Sequence, residues 1–445
     1  MKLLRILPRF QHAYRSLDEL AQRETWSRSQ IAAFQLERIN ELWTQATTRV
    51  PYYHDLQTKG KLPQHFRDIA EFHACVPIVP KSELRRHAGS FLASPLGRGR
   101  WHRTGGSTGS PMSFFWEQEA HQQVLRARYR LYAMWDVDPL DRTAFLWGHQ
   151  HVFSRNLTGY LSRLQQQFLD HARGRLRLSA YRLGEKDVQL QLQRLVSFGP
   201  AMLYGFSRAI YMLALEALRT GLRCESLRLV TLTSEVASPQ MVSTVERAFG
   251  VPAIIEYGAS ECHLIAGEWT DRTLRVREDV VHLETLPRDD GRYDLVLTVL
   301  GNPSAPLIRY KIGDVTDAPL HIPSHGFAIL RNVAGRQDDL LVTRSGRLIH
   351  PTLVDAMFEE SNDKVRRYRV HQHADGSLVA SIELQGSCER FNAAPYARRL
   401  TEMTEGYPSH IHVVDRIELT AAGKHRTVTS ALTSENMVGH RPTVI

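Results

Sequence analysis

Cysteine is scarce in this chain: Cys75, Cys224, Cys262 and Cys388 are all there is in 445 residues, and no two form a Cys-x-x-Cys pair. That excludes a disulfide scaffold and suits reduced thiols in a cytoplasmic protein. Lysine is nearly as scarce, since only 8 of the 56 basic residues are Lys and 48 are Arg. No apolar run approaches the roughly 18 residues that a membrane-spanning helix needs. The basic, apolar residues 1–10 are interrupted by Arg5, Pro8 and Arg9, which argues against a signal-peptide core and for a packed N-terminal helix. Neither a fixed-period repeat nor an extended low-complexity segment is present.

What is present is an ordinary globular balance, 42% apolar and 23% charged, with a net charge of +9. The length suits two or three domains. An Arg-rich excess fits either a compositional habit or a polyanionic partner: nucleic acid, an anionic surface or a phosphate-bearing substrate. A nucleic-acid module would cluster its basic and aromatic residues. Here the arginines are spread along the chain, with only short groups at 126–130 and 366–369.

Residues 1–90 read as helical, with Leu17, Leu20, Leu36, Ile39 and Leu42 at mostly helical spacing over 16–50. Pro51 is expected to end that stretch, and Ser82 to cap a further helix. From about 100 to 320, strand-like runs at 143–147, 201–204, 227–232 and 253–257 alternate with helix-like runs at 188–196 and 209–218. That alternation predicts an α/β fold with a largely parallel sheet. A turn at 289–292 precedes a strand at 293–300. Beyond the polar run Gly335-Arg-Gln-Asp-Asp339, strands at 340–343, 368–371, 377–384 and 410–414 and a helix at 352–360 suggest a smaller α+β unit.

The segment Arg103-Thr-Gly-Gly-Ser-Thr-Gly-Ser-Pro111 puts three glycines and four hydroxyls into nine residues. Glycines let backbone amides close on an anion and hydroxyls add donors, which suits a polyphosphate. The Gly-Lys-Ser/Thr ending of a Walker loop is missing. Downstream come Tyr257-Gly-Ala-Ser-Glu261, Arg309-Tyr-Lys-Ile-Gly-Asp314, Gly335-Arg-Gln-Asp-Asp339 and Thr420-Ala-Ala-Gly-Lys-His425. With these five motifs in this order, the sequence resembles the adenylate-forming superfamily of acyl- and aryl-CoA synthetases. Within it, the chain is similar to the phenylacetate-CoA ligase group and its CapK-like relatives. Val50-Pro-Tyr-Tyr53 and the Asn302…Pro306-Leu-Ile-Arg-Tyr310…Asp314 order carry that narrower likeness, which spans nearly the whole chain.

The resemblance implies a large multi-subdomain N-terminal adenylation domain over 1–337 and a small α+β lid over 338–445, turning about Asp338. It also implies ATP and Mg2+, a small-molecule carboxylic acid, and CoA as co-substrate. Thr104, Gly105, Gly106, Ser107, Thr108 and Gly109 would clasp the β- and γ-phosphates. Tyr257, beside Gly258, would offer an aromatic face or edge near the adenine. Ser260 would touch a phosphate or the acyl-adenylate, and Glu261 would help hold Mg2+, a hard cation that takes oxygen ligands. Asp314 would accept the ribose hydroxyls, and Arg336 would meet ribose or phosphate. Lys424, one of two lysines beyond the hinge with Lys364, would stabilise charge gathering on the α-phosphate.

Other residues are less legible. Trp147, Tyr204 and Phe206 follow or end strands and serve either as an acid pocket or as core; His149 there reads as a structural histidine. Some relatives carry a Cys-rich zinc site before the hinge, but 316–336 holds no cysteine. Cys262, His263, His282, His321 and His325 lack a diagnostic ligand spacing, so no zinc is expected. The reading is an AMP-forming acid–thiol ligase. Its rivals pass the acyl group to an amine, a hydroxyl or a carrier protein, or are non-catalytic nucleotide-binding relatives, which the presence of Lys424 and Glu261 disfavours.

Overall fold

The structure, a computed structural model, describes residues 8–103, 112–147, 169–170, 173–180, 185–331, 333–336, 341–345, 348–349, 354, 357–358, 364–385, 391–418 and 427–432. The N-terminal helical stretch is several helices rather than one. Pro8–Arg23 and Arg28–Arg49 are separated at Ser27, whose hydroxyl accepts from the Gln30 amide while the Gln30 side chain accepts from the Ser27 amide. Such a reciprocal cap fixes a helix start. Pro51 does not simply end a helix: it opens the next one, Pro51–Gly60, because the first helical position has no use for an amide proton. Ser82 is not a cap either. It lies inside Lys81–Arg86, whose capping position is the extended Pro80.

Strands alternating with helices build a seven-stranded sheet in the order Leu274–Val276, Ala266–Glu268, Ala253–Tyr257, Leu229–Thr233, Met202–Phe206, Thr143–Trp147, Arg175–Ser179. The last five strands run parallel and the first two antiparallel. Leu146, Leu203, Val230 and Leu232 are fully buried in a core shared with helices Ser207–Thr220 and Pro239–Phe249, as the apolar runs predicted. A second sheet orders Val79–Pro80, Tyr310–Thr316, Tyr293–Val299 and Val281–Pro287, with Val333–Arg336 on the far edge of Tyr310–Thr316. Residues from 341 onward form their own four-stranded sheet, Ser409–Val414, Leu378–Leu384, Val365–Gln372 and Val428–Ser430. Leu341, Phe358, Tyr368, Ile382 and Leu400 fill a hydrophobic cluster belonging to that part alone.

Two sequence motifs meet in the second sheet. The buried Tyr53 hydroxyl donates to the Pro306 carbonyl at 3.1 Å and accepts from the Ile308 amide at 3.2 Å. Arg309 follows, with its guanidinium forked onto Glu284 at 2.8–3.0 Å and donating to the carbonyls of His73 and Val76. These contacts fix where the Tyr310–Thr316 strand begins. Nearby, Gln35 donates its amide to the carbonyls of Glu278 and Val281, so its oxygen must accept from His282 Nδ1 at 2.8 Å. His282 Nε2 is then the acceptor for His73 Nε2 at 2.9 Å.

Two predictions follow from these contacts. Tyr53→Phe leaves a buried amide and carbonyl unpaired and is expected to lower unfolding stability by about 1–3 kcal/mol in denaturant titrations. Burial lowers the His282 pKa from 6.5 to about 3, so the folded state holds this imidazole neutral while the unfolded chain protonates it. Its contribution is complete above pH 6.5 and is lost as pH falls toward 3. His282→Gln should therefore flatten the acid limb of the stability–pH curve.

Candidate active site

Trp147, Phe206, Thr233 and Tyr257 are the last residues of four adjacent parallel strands. The carboxyl ends of such strands open onto the crevice where α/β sheets bind ligands. At one side of that edge the Tyr257 hydroxyl donates to Asp314 Oδ2 at 2.7 Å. Burial and the Asp314 carboxylate push the phenol's pKa well up, so it stays a donor. Asp314 and Arg336 are direct partners in adjacent strands, which brings these two positions to the same corner.

The turn after Tyr257 is set by Gly258. A Cβ there would stand 1.9 Å from the His263 carbonyl oxygen. Within the turn, the amides of Cys262 and His263 donate to the Ala259 carbonyl, and the Ile265 amide returns to the Tyr257 carbonyl at 2.9 Å. His263 takes a left-handed φ of 60°. The result leaves Ser260 exposed and turns Glu261 inward. The Glu261 side chain is only 3% exposed, and Lys81 Nζ donates to its Oε1 at 2.9 Å.

Further along the edge, the Trp147 ring stacks on Tyr204 at 5.7 Å and 14°, and meets Phe206 at 4.4 Å. Beneath them Glu256 accepts from Tyr204 at 3.0 Å, from Tyr132 at 2.6 Å and from Arg128 at 3.0 Å. Burial and Glu256 raise both phenol pKa values, so these tyrosines remain donors, and a closed polar group floors the aromatic cluster.

The paired strands Gly99–Arg103 and Ser113–Glu117 flank the glycine- and hydroxyl-rich segment. They are held by Asn302, which donates to the Phe115 carbonyl at 2.8 Å and accepts from the Glu117 amide at 3.1 Å. Thr104, Gly105, Gly106, Ser107, Thr108, Gly109, His149, Asp338 and Lys424 lie outside the described residues, as does the side chain of Arg336.

Solved structures share this fold. A 2-hydroxyisobutyryl-CoA ligase in its postadenylation state, in complex with 2-HIB-AMP, superposes with a TM-score of 0.71 at 18% identity, covering 93% of this chain and 92% of that one. The fold is that of the adenylate-forming ligases. The same ligase in the thioesterification state with 2-HIB-AMP and CoA gives 0.60 at 19% identity, over 94% and 93%. In sequence, the chain is 20% identical over 401 residues to Protein CapK of Staphylococcus aureus, spanning 88% of this chain and 87% of that one. It is 25% identical over 375 residues to the phenylacetate-coenzyme A ligase of Thermus thermophilus, spanning 80% and 81%. No protein-family model matches. No helix among the described residues is long and apolar enough to cross a membrane.

Two parts of this candidate site escape a sequence reading. Lys81 is one; its scarcity among 8 lysines was the available signal. The Glu256 group is the other, since its members come from positions 128, 132, 204 and 256 and carry no local motif. Gly258→Ala is expected to force the Tyr257–Glu261 turn open and destabilise by about 1–3 kcal/mol, the usual cost of overpacking. Urea unfolding of the variant beside the parent checks it.

Proposed function

We propose that this chain activates a carboxylic acid with ATP and passes the acyl group to a thiol such as that of CoA. A carboxylate oxygen of the acid attacks the α-phosphorus of ATP, the bond to the bridging oxygen breaks, and pyrophosphate leaves. A thiol sulfur then attacks the acyl carbonyl, AMP departs with the bonding pair, and the thiol proton goes to solvent. The carboxylate is already a nucleophile, so the protein's part is positioning and stabilising phosphoryl charge.

The observation that carries this reading is the convergence of Tyr257–Asp314 and Lys81–Glu261 on one strand edge of an adenylate-forming fold. The Tyr257–Asp314 corner suits adenine and ribose, with Asp314 accepting ribose hydroxyls and Arg336 beside it in the next strand. Lys81 holds only Oε1 of Glu261. One buried carboxylate plus substrate phosphates is a donor set that Mg2+ accepts, and a bound Mg2+ would neutralise phosphate charge. Lys81 would swing from the carboxylate to a phosphate oxygen when nucleotide enters. The glycine- and hydroxyl-rich segment 104–109 would enclose the outer phosphates, and Ser260, exposed on the turn, would reach the acyl phosphate. Trp147, Tyr204 and Phe206 would wall an aryl or small acyl group. Residues 338–445 would act as the lid, turning about Asp338 and delivering Lys424, a division supported by the separate hydrophobic cluster beyond 341.

The similarity to CapK across 88% of this chain keeps a second acceptor in view. An amine, a hydroxyl or a carrier-protein thiol would take the place of CoA, with the first step unchanged. Mass analysis of products formed with each acceptor separates the two.

Acid-dependent exchange of labelled pyrophosphate into ATP tests the first step. Exchange with at least one member of a broad aryl and alkyl acid panel is expected; none with any member overturns the proposal. Lys81→Ala and Lys424→Ala should each slow exchange by about 10²-fold, the order seen when one transition-state donor is removed. Lys364→Ala should leave it unchanged.

A further inference from the structure

Two clusters of ligand-type side chains stand out among the described residues. The first, His73, His282 and Glu284, is internally satisfied, because Gln35 fixes the His282 tautomer and Arg309 holds Glu284. The second, His102, His121 and His263, is not. Their ligand atoms lie within 4.8 Å of one another. His121 Nδ1 and His263 Nε2 are buried, and neither has a hydrogen-bond partner among the described residues. The ring centroids of the three pairs are 5.0–5.9 Å apart. Three imidazoles from three separate elements thus face one point, two of them with buried ring nitrogens that no described residue uses.

We propose that His102, His121 and His263 bind a borderline divalent transition ion of the Zn2+ class. Zinc–imidazole bonds of about 2.0–2.1 Å place ligand atoms roughly 3.3 Å apart in a tetrahedron, so the three rings would draw together from their present spacing within 4.8 Å. The chemistry selects the ion. Nitrogen ligands without a carboxylate suit Zn2+ or Co2+ and not Mg2+ or Ca2+. The nearby carboxylate Glu256 is already taken by Arg128, Tyr132 and Tyr204. Arg100 and Arg128 press on the group electrostatically, but the charge of Arg128 is balanced by Glu256 at 3.0 Å. Three ligands leave a fourth position open for water.

The location gives the ion a task. His102 stands two residues before Thr104, His263 two residues after Glu261, and His121 on the helix Gln118–Ala133 behind both. The ion would pin the strand entering the glycine-rich segment to the turn that carries Glu261. This revises the zinc-free expectation, at a place where cysteine counting has no reach.

The test uses the full chain, stripped with chelator and titrated with Co2+. One equivalent per chain, with the visible absorption of a tetrahedral nitrogen site, displaced by Zn2+ and unaffected by Mg2+, is expected. His121→Ala and His263→Gln should each weaken binding by about 10-fold or more, while His73→Ala binds as the parent does. Circular dichroism of the metal-free proteins establishes folding. Should His263→Gln not fold, His121→Ala decides, since Ala is favourable in a helix. No absorption in the folded parent, absorption retained in the decisive variant, or loss in His73→Ala overturns the proposal.

Discussion

Gly258 lets the His263 carbonyl sit where a Cβ would otherwise be, 1.9 Å from that position. The chain can therefore reverse within one residue of the strand end, and three side chains take their directions from the reversal. Tyr257 points to Asp314, Glu261 turns inward to Lys81, and His263 turns toward His102 and His121. The turn is also where the two large sheets meet, because Tyr257 belongs to the parallel sheet and Asp314 to the second one. A contact forbidden to any other residue type thus couples the Tyr257–Asp314 corner, the Glu261–Lys81 pair and the histidine cluster.

The opposite side of that meeting is anchored by Arg309. It is 7% exposed, adopts a left-handed φ of 47°, and spends its guanidinium on Glu284 and two carbonyls. A buried charge of this kind is held by its partners; removing one leaves the other uncompensated at a cost of about 3–5 kcal/mol. Five residues later the same strand presents Asp314. Tyr53, from the N-terminal helices, secures the segment just before Arg309. Tyr53 and its helix therefore act on the site through the second sheet, whereas Lys81 reaches Glu261 directly.

The sequence made much of this architecture readable, for definite reasons. Runs such as 143–147 and 253–257 are apolar on both faces because both faces of a parallel sheet are covered. Their positions came out at Thr143–Trp147 and Ala253–Tyr257. A motif as local as Tyr257 through Glu261 can be picked out by eye, and the structure puts it at a strand end and the turn after it. What stayed hidden depends on distant partners. Tyr310–Thr316 alternates polar and apolar residues irregularly around Gly313 and a register shift in its pairing, so periodicity does not mark it. Pro51 was read as a stop because proline forbids continuation, yet the same missing amide suits a first turn. Lys81 sits in a short helix 180 positions from Glu261, and no spacing rule links them.

Arginine and lysine divide the work in a way that composition alone conceals. A net charge of +9 with 48 arginines suggested a basic surface for polyanions. Some of those arginines are spent inside the fold or against buried carboxylates instead. Arg277 is completely buried between Glu24 and Asp279, Arg128 lies on Glu256, and Arg309 on Glu284. A planar fork that is weakly hydrated and always charged suits such fixed, two-pronged pairs. Lysine offers a compact point charge on a flexible stem, which makes it poor at locking a core and good at following a group that moves. Lys81 has that character: its partner is one oxygen of a buried carboxylate, and its own side chain is 28% exposed. A guanidinium there would fork onto both oxygens of Glu261 and resist release. Forked arginine pairs thus hold the fold, while the proposed passage of Lys81 from carboxylate to phosphate calls for a single-pronged cation.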